Sequence, residues 1–560
     1  MQRLISVDKT GRSSLVRIKR MGCLTSRIIP VVTFTALFIA ACGGGGGSTN
    51  VTVLSPVPPV TTPGLARTSC GDYQGVEAAN TWRFLGIRYA APPVGVLRWR
   101  APTAPTCPTT VVAATDYAPI CPQTVNGVVS GNEDCLAVNI WTPRAAFGGT
   151  RAPIMLFIHG GGNVQGSARE EVEGGRVLYD GRALAEISGN VVVTVQYRLG
   201  ALGWLVHPAL DSEAADARAG NYGLEDLIAA LRWVEREIGA FGGNRDRVMV
   251  FGESAGAVNI CALLASPAAA GLFDAAIMQS GGCIADTREE ALSSGVTLAR
   301  NAGCASASDV IACLRSRSVA EILAALPAVA SVGGPIPPFG PSVDDSLLPM
   351  SPLAQIRAAA HNRVPTIVGA NGDELGRSVP LTFTQRDFDA ALLAAFPSST
   401  VRTQIAALYS AAEFGSARRA YIALTSDIRF VCPARTIART LAAAQTPLVF
   451  RYHFTEVPDA TESQPFGAFH GLELLYLFGV LDVRGYRPTV AEFALATDMQ
   501  RYWGNVAAGG QPGGGALSLW TPYQTARDNH LVLEAGAVRE QDGVNTARCN
   551  FWDVSLRRTE

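Results

Sequence analysis

The sequence predicts an α/β fold with a mainly parallel central sheet flanked by helices, and three observations carry that prediction. Short β-rich runs recur along the chain, at 154–158 (IMLFI), 191–195 (VVVTV), 248–251 (VMVF), 275–278 (AAIM), 366–368 and 448–452. Most are followed by glycine or polar turn residues, as strand ends should be. Between them, 223–238 places Leu224, Leu227, Ile228, Leu231, Val234 and Ile238 at a helical period. Wholly apolar strands separated by helices imply a sheet covered on both faces. Reactive groups in such a sheet gather at the carboxyl ends of the strands.

Composition sets the class. The 560 residues are 48% hydrophobic and 17% charged, against about 25% charged in an average globular chain. That means a large apolar interior and excludes a disordered chain or a small disulfide scaffold. The 46 basic and 47 acidic groups nearly cancel, so no basic stripe is available for nucleic acid. Both lysines, Lys9 and Lys19, lie near the start, with Arg3, Arg12, Arg17, Arg20 and Arg27 against Asp8 alone. Without those seven cations and one anion, 39 basic and 46 acidic groups remain, a formal charge of −7.

That basic stretch precedes an apolar run at 28–41, then Cys42 and five glycines. The run is too short for a bilayer core, which takes about 20 residues, but suits a secretory signal, with Met21 as an alternative start. Ile39-Ala40-Ala41-Cys42 resembles a bacterial lipoprotein box, which implies lipidation of Cys42; ordinary cleavage after small residues is the alternative. Residues 1–41 are therefore read as a signal peptide. Residues 42–65, rich in Gly, Ser, Thr and Pro, form a tether of about 25 Å as a random coil. Residues 66–560 form one large domain, long enough to carry insertions. The expected location is the bacterial envelope, with the membrane touched only through the anchor; otherwise the protein is secreted.

Three strand ends carry chemistry. Gly252-Glu253-Ser254-Ala255-Gly256 lies between VMVF and an apolar helical run, the strand–turn–helix setting of a nucleophile elbow. His159-Gly160-Gly161-Gly162 follows IMLFI. The N–H groups of Gly161, Gly162 and Ala255 are candidate donors for an oxyanion hole; the plain alternative is a structural glycine turn. Of six histidines, only His470 sits in a glycine-bracketed loop that suits a mobile imidazole. His159 reads as a turn residue, His453 as part of a strand, His207 as a packing residue, and His361 and His530 as exposed turn residues. A carboxylate should orient the base. Glu374 and Asp373 both follow the strand ending PTIVG, and spacing alone does not separate them.

The ordered motifs FLGIRYAAPPVGVLRWRAP (84–102), EDCLAVNIWTP (133–143), FIHGGG (157–162), QYRLGALGW (196–204), NYGLEDLIAALRWV (221–234), FGGNRDRVMVFGESAG (241–256), FHGLELLYLFG (469–479) and CNFWD (549–553) span almost the whole body. By these the chain resembles the type-B carboxylesterases, the family of acetylcholinesterase, fungal lipases and bacterial p-nitrobenzyl esterases. The resemblance implies an α/β-hydrolase fold with large helical insertions over the active site. It also implies a serine esterase with Ser254 as nucleophile, Glu374 as acid and His470 as base, without cofactor or metal. Leu375 stands where the family usually has glycine. Arg98 and Glu133 match an internal ion pair of the family.

The same resemblance implies disulfides Cys121–Cys135, Cys304–Cys313 and Cys432–Cys549. Cys70 and Cys107 are left over as a further candidate pair. Cys261 reads as a buried free thiol, and Cys283 has no assignment. Glu253 reads either as a carboxylate in the pocket or as a turn residue. The loop 121–135 lacks tryptophan, where cholinesterases place a choline-stacking ring, so short-to-medium carboxylic esters are expected rather than choline esters. The pocket walls are expected from the alanine-rich stretches 284–360 and 377–445. Two other readings compete: a non-catalytic binding module of the same fold, and a lipase for long-chain acyl esters.

Overall fold

Apolar strands buried on both faces must alternate their side chains between two separate cores, and the central sheet does so. A computed structural model describes residues 62–172, 174–214, 219–326, 329–331, 334–336 and 338–556. The readings of the signal segment, of Cys42 and of the tether up to residue 61 lie outside them. Described structure opens on a strand at Leu65–Thr68, paired with Gly71–Gln74.

The main sheet has eleven strands: β1 (Val76–Ala78), β2 (Thr81–Arg88), β3 (Ala137–Pro143), β4 (Ala152–Ile158), β5 (Val191–Val195) and β6 (Gly243–Glu253), then β7 (Ala275–Gln279), β8 (Thr366–Asn371), β9 (Val449–Phe454), β10 (Asn529–Leu533) and β11 (Arg539–Asp542). Their spatial order is β1-β2-β3-β5-β4-β6-β7-β8-β9-β10-β11. From β5 to β10 every neighbouring pair is parallel. The two edges are joined by antiparallel pairing.

Alternation splits the core. Ile154, Leu156 and Ile158 of β4 and Val248 and Val250 of β6 join one cluster, with Leu224 of α2 (Tyr222–Glu237), Ile260 of α3 (Ala255–Ala265), Ile356 of α4 (Pro352–Arg357) and Ile437 of α5 (Cys432–Ala444). Met155, Phe157, Met249 and Phe251 join the other, with Leu184 of α1 (Arg182–Ser188), Leu475 of α6 (Leu472–Leu477) and Trp503 of α7 (Val490–Gly509). A last helix, α8 (Thr546–Leu556), closes the chain. The mainly parallel sheet expected from the sequence is present, and each of the six apolar runs lies in a strand.

The antiparallel strands are not legible in the hydropathy pattern. β11 is largely exposed, and β3 is interrupted by Asn139 and Thr142. Both are buried with their hydrogen bonds made: Asn139 accepts from Gly86 N at 3.0 Å and donates to Thr194 Oγ1, and Thr142 donates to Phe241 O. Two histidine expectations are corrected. His530 is a buried residue of β10, and His361 is buried with Nε2 at 3.0 Å from Gln445 Oε1. Polar neighbours had suggested an exposed turn at His530. They are instead satisfied internally, Asp528 by Arg451 and Asn529 by Thr521.

Cys261 is not a free thiol. It is bonded to Cys283, alongside Cys70–Cys107, Cys121–Cys135, Cys304–Cys313 and Cys432–Cys549. The loop after β7 reaches α3 because Gly281 has no side chain; a Cβ there would sit 2.5 Å from Ala257 Cβ. Linear spacing carries no trace of that approach. Arg98 and Glu133 form a two-pronged pair, with Nε and Nη2 at 2.8 and 2.6 Å from the two carboxylate oxygens.

A second pair is fully enclosed. Arg198, after β5, holds both oxygens of Asp226 on α2 at 2.7 Å, with side chains 3% and 0% exposed. Removing one partner strands a buried charge, which costs about 3–5 kcal/mol. Asp226→Ala is expected to lower the unfolding free energy by that amount in a denaturant titration; a change below 1 kcal/mol would show that the pair holds nothing.

Candidate active site

The elbow is built by a close crossing of backbone. β6 ends at Glu253, α3 begins at Ala255, and Ser254 between them has φ +56° and ψ −123°. A non-glycine residue in this region is strained by about 1–3 kcal/mol and is held there by its surroundings. The surroundings are visible: a Cβ on Gly252 would lie 2.6 Å from Ile158 O, and one on Gly256 2.0 Å from the same atom. Ser254 N donates to Gln279 O at 2.9 Å, tying the turn to β7.

The carbonyl that presses on these glycines ends β4, so the His159–Gly162 loop starts beside the elbow. Gly161 and Gly162 have φ of +100° and +65°, and a Cβ on Gly161 would fall 2.0 Å from Gln165 O. Among the described residues the N–H groups of Gly161, Gly162 and Ala255 carry no hydrogen bond. Gly162 and Ala255 line the same cavity as Ser254. His159 is buried and stacked on Tyr197, and burial lowers its pKa to about 4, which suits a packed turn residue and not a base.

His470 and Glu374 meet directly. The imidazole Nδ1 lies 2.6 Å from Glu374 Oε2, and His470 N donates to Glu374 O at 2.9 Å. Glu374 Oε1 accepts from Asn371 N at 2.7 Å, so the carboxylate is held at the end of β8. Asp373 takes a different partner, Ala468 N at 3.2 Å. Tertiary structure thus separates two neighbours that spacing left equal. Leu375 is buried and lines the cavity, while Gly376 closes the turn, where a Cβ would lie 1.8 Å from Phe466 O.

Glu253 is a buried carboxylate beside His470, not a turn residue facing water, and it does not line the cavity. Its Oε1 lies 3.1 Å from His470 Nε2 but outside hydrogen-bonding alignment, a charge contact more than a bond. Among the described residues no hydrogen bond joins Ser254 Oγ to His470; both residues line one cavity. Such bonds are commonly loose without substrate and tighten on binding.

Two further residues escaped sequence reasoning. Glu473, three residues after His470, is buried and accepts from Gln279 Nε2 at 3.1 Å and Asn371 Nδ2 at 2.6 Å. Phe430, in a π-helical turn at Asp427–Val431, packs tilted against the imidazole with ring centres 4.8 Å apart. Only the acidic residue one turn beyond the histidine could have hinted at Glu473.

Burial opposes charge on His470, yet the carboxylates of Glu253 and Glu374 outweigh it and raise its pKa. Burial likewise pushes the Glu253 and Glu473 carboxyls up. The cavity has a volume of about 1020 Å³. Its walls draw on both stretches expected from the sequence, including Ile284, Phe339 and Leu353 from the first and Ile428, Phe430 and Ile437 from the second, with Leu375 and Asp553 added.

A parallel sheet with helices on both faces, a glycine-flanked serine after a central strand and a histidine held by a carboxylate define an α/β-hydrolase. The chain belongs to the carboxylesterase family, whose model matches residues 63–552, and is a carboxylic-ester hydrolase. The solved structure of PNB esterase superposes with a TM-score of 0.74 at 32% identity, covering 88% of this chain and 100% of that one. The human (Homo sapiens) cocaine esterase is 32% identical over 530 residues, 87% of this chain and 89% of the relative. The fumonisin B1 esterase of Sphingopyxis macrogoltabida is 34% identical over 512 residues, again 87% and 89%.

The Glu253–His470 contact makes a signed prediction. An anion beside an imidazole favours its charged form, so removing the anion must lower the histidine pKa. In Glu253→Gln, NMR titration of His470 is expected to show a drop of about one unit or more. An unchanged or higher value would mean that Glu253 does not act on the imidazole.

Proposed function

We propose that the protein cleaves carboxylic esters through an acyl-enzyme intermediate on Ser254, with His470 as proton carrier and Glu374 as the group that orients it. The supporting observation is the 2.6 Å contact between Glu374 Oε2 and His470 Nδ1, on an imidazole that shares a cavity with Ser254. With Nδ1 bound to the carboxylate, Nε2 is the nitrogen left to accept a proton.

His470 Nε2 takes the Ser254 proton as Oγ bonds to the ester carbonyl carbon. The negative oxygen of the tetrahedral intermediate is held by the N–H groups of Gly161, Gly162 and Ala255, which need no reorganisation to receive it. Collapse breaks the bond to the alcohol, which leaves with the proton from His470. A water then gives its proton to His470 and attacks the acyl carbon, and the acid departs as Ser254 regains its proton. The imidazole must be neutral to begin. Glu253 and Glu374 raise the imidazole pKa, so activity is expected to rise with pH as His470 loses its proton.

Short-to-medium carboxylic esters are the proposed substrates. A cavity of about 1020 Å³ is at the upper end of the range that holds drug-sized ligands, so it has room for both acyl and alcohol parts. The loop 121–135 contributes no residue to its wall, so no ring from that loop meets a cationic alcohol. Cocaine esterase and fumonisin B1 esterase are named for unlike substrates, which supports ester cleavage without choosing the ester. Five disulfides fit an oxidising compartment. Export behind a signal peptide, with lipidation of Cys42, is proposed on that ground together with the N-terminal sequence.

Hydrolysis of p-nitrophenyl esters from acetate to palmitate tests this reading. Ser254→Ala is expected to lower the rate by about 10⁴-fold or more, and the wild type to prefer the shorter acyl chains. An optimum at palmitate would turn the reading toward a lipase. Folded wild type as inert as the variant on every ester would leave a binding module.

A further inference from the structure

Beyond the catalytic groups, the cavity runs along α5. Its wall includes Cys432, Thr436 and Thr440 on one face of that helix, and then Arg439 and Asp553. Eight residues of helix place Thr440 about 12 Å beyond Cys432, and Cys432 lies two residues from Phe430, whose ring packs against His470. The charge at this far end is unbalanced. Arg435, Arg439 and Arg451 share two carboxylates: Asp553 lies 2.7 Å from Arg435 and 3.2 Å from Arg439, and Asp528 lies 3.0 Å from Arg451 and 3.7 Å from Arg435.

Three guanidinium groups on two carboxylates leave one positive charge over. The deep members are enclosed, and Arg435 Nε and Nη1 and Arg451 Nε make no hydrogen bond, nor does Asp528 Oδ2, 3.7 Å from Arg435 Nη1. Arg439 is the outermost, its side chain 30% exposed, with Nε near Tyr523 Oη and Nη1 on Asp553. The neighbouring His453 and His530 are held neutral, by burial first and by Arg451 among the nearby charges. Asp286 is the other acid of the wall, and burial raises its carboxyl to about 6. An excess charge that reaches the cavity wall through the partly exposed Arg439 calls for an anion.

We propose that this end of the cavity receives a carboxylate, so that the favoured ester carries an anionic group at the end of its chain remote from the bond that is cleaved. Arg439 is the residue that meets it and determines this preference. The inference rests on the esterase reading above and adds a substrate class to it.

The test compares two esters of one length, p-nitrophenyl hydrogen decanedioate and p-nitrophenyl methyl decanedioate. The wild type is expected to favour the acid about tenfold in kcat/KM, as one charge-assisted hydrogen bond allows, and to lose most of that preference in 1 M salt. Arg439→Gln is expected to bring the ratio near one, and Arg439→Lys to keep part of it. In both variants Asp553 retains Arg435, so neither leaves a buried carboxylate alone. A wild-type ratio near one, or a ratio unmoved in Arg439→Gln, overturns the proposal and leaves Ser254-dependent cleavage standing. If neither ester is cleaved, the esterase reading has failed, and calorimetric binding of decanedioate decides separately: affinity that Arg439→Gln abolishes supports the anion site, and no affinity overturns it.

Discussion

The site depends on the packing of one carbonyl, Ile158 O, against Gly252 and Gly256. β4 and β6 are parallel neighbours, so their carboxyl ends reach the same edge of the sheet. Only residues without side chains allow the two chain ends to come so close. The crossing forces Ser254 into its strained conformation and sets the His159–Gly162 loop beside it. The proposed nucleophile and the proposed oxyanion donors are therefore products of one contact, not two separately arranged features. Strain at the serine is sustained because α3 and β7 hold the turn from either side.

Electrostatics gives the cavity two unlike ends. Around His470 three buried carboxylates, Glu253, Glu374 and Glu473, gather within reach of one imidazole. Such a group tolerates burial only if protons and hydrogen bonds are shared among its members. Asn371 joins it twice, giving its N–H to Glu374 and its side-chain amide to Glu473. Along α5 the balance reverses, and guanidinium groups outnumber the carboxylates that hold them. A neutral ester would use only the first end.

Covalent links reinforce the same region. Cys261–Cys283 ties the nucleophile helix to the loop after β7, and Cys432–Cys549 ties the start of α5 to α8. The first fixes a wall beside Ser254. The second carries Asp553 of α8 to the arginines of α5, although 114 or more residues separate them in sequence. Insertions that look featureless in sequence are thereby held as cavity walls.

By itself the sequence determined the parallel sheet, because wholly apolar β-rich runs between helical periods have no other soluble arrangement. It also marked Ser254, the glycines after β4 and His470, since tight turns at strand ends demand recognisable residues. Spacing left Asp373 and Glu374 equal, because adjacent residues differ in direction and not in position, and only the family resemblance chose Glu374. The Cys261–Cys283 bond, the burial of His530, the approach of Glu253 and Glu473 to His470 and the arginine cluster were decided by tertiary structure alone. Each depends on where a side chain points after the sheet has brought its partners together.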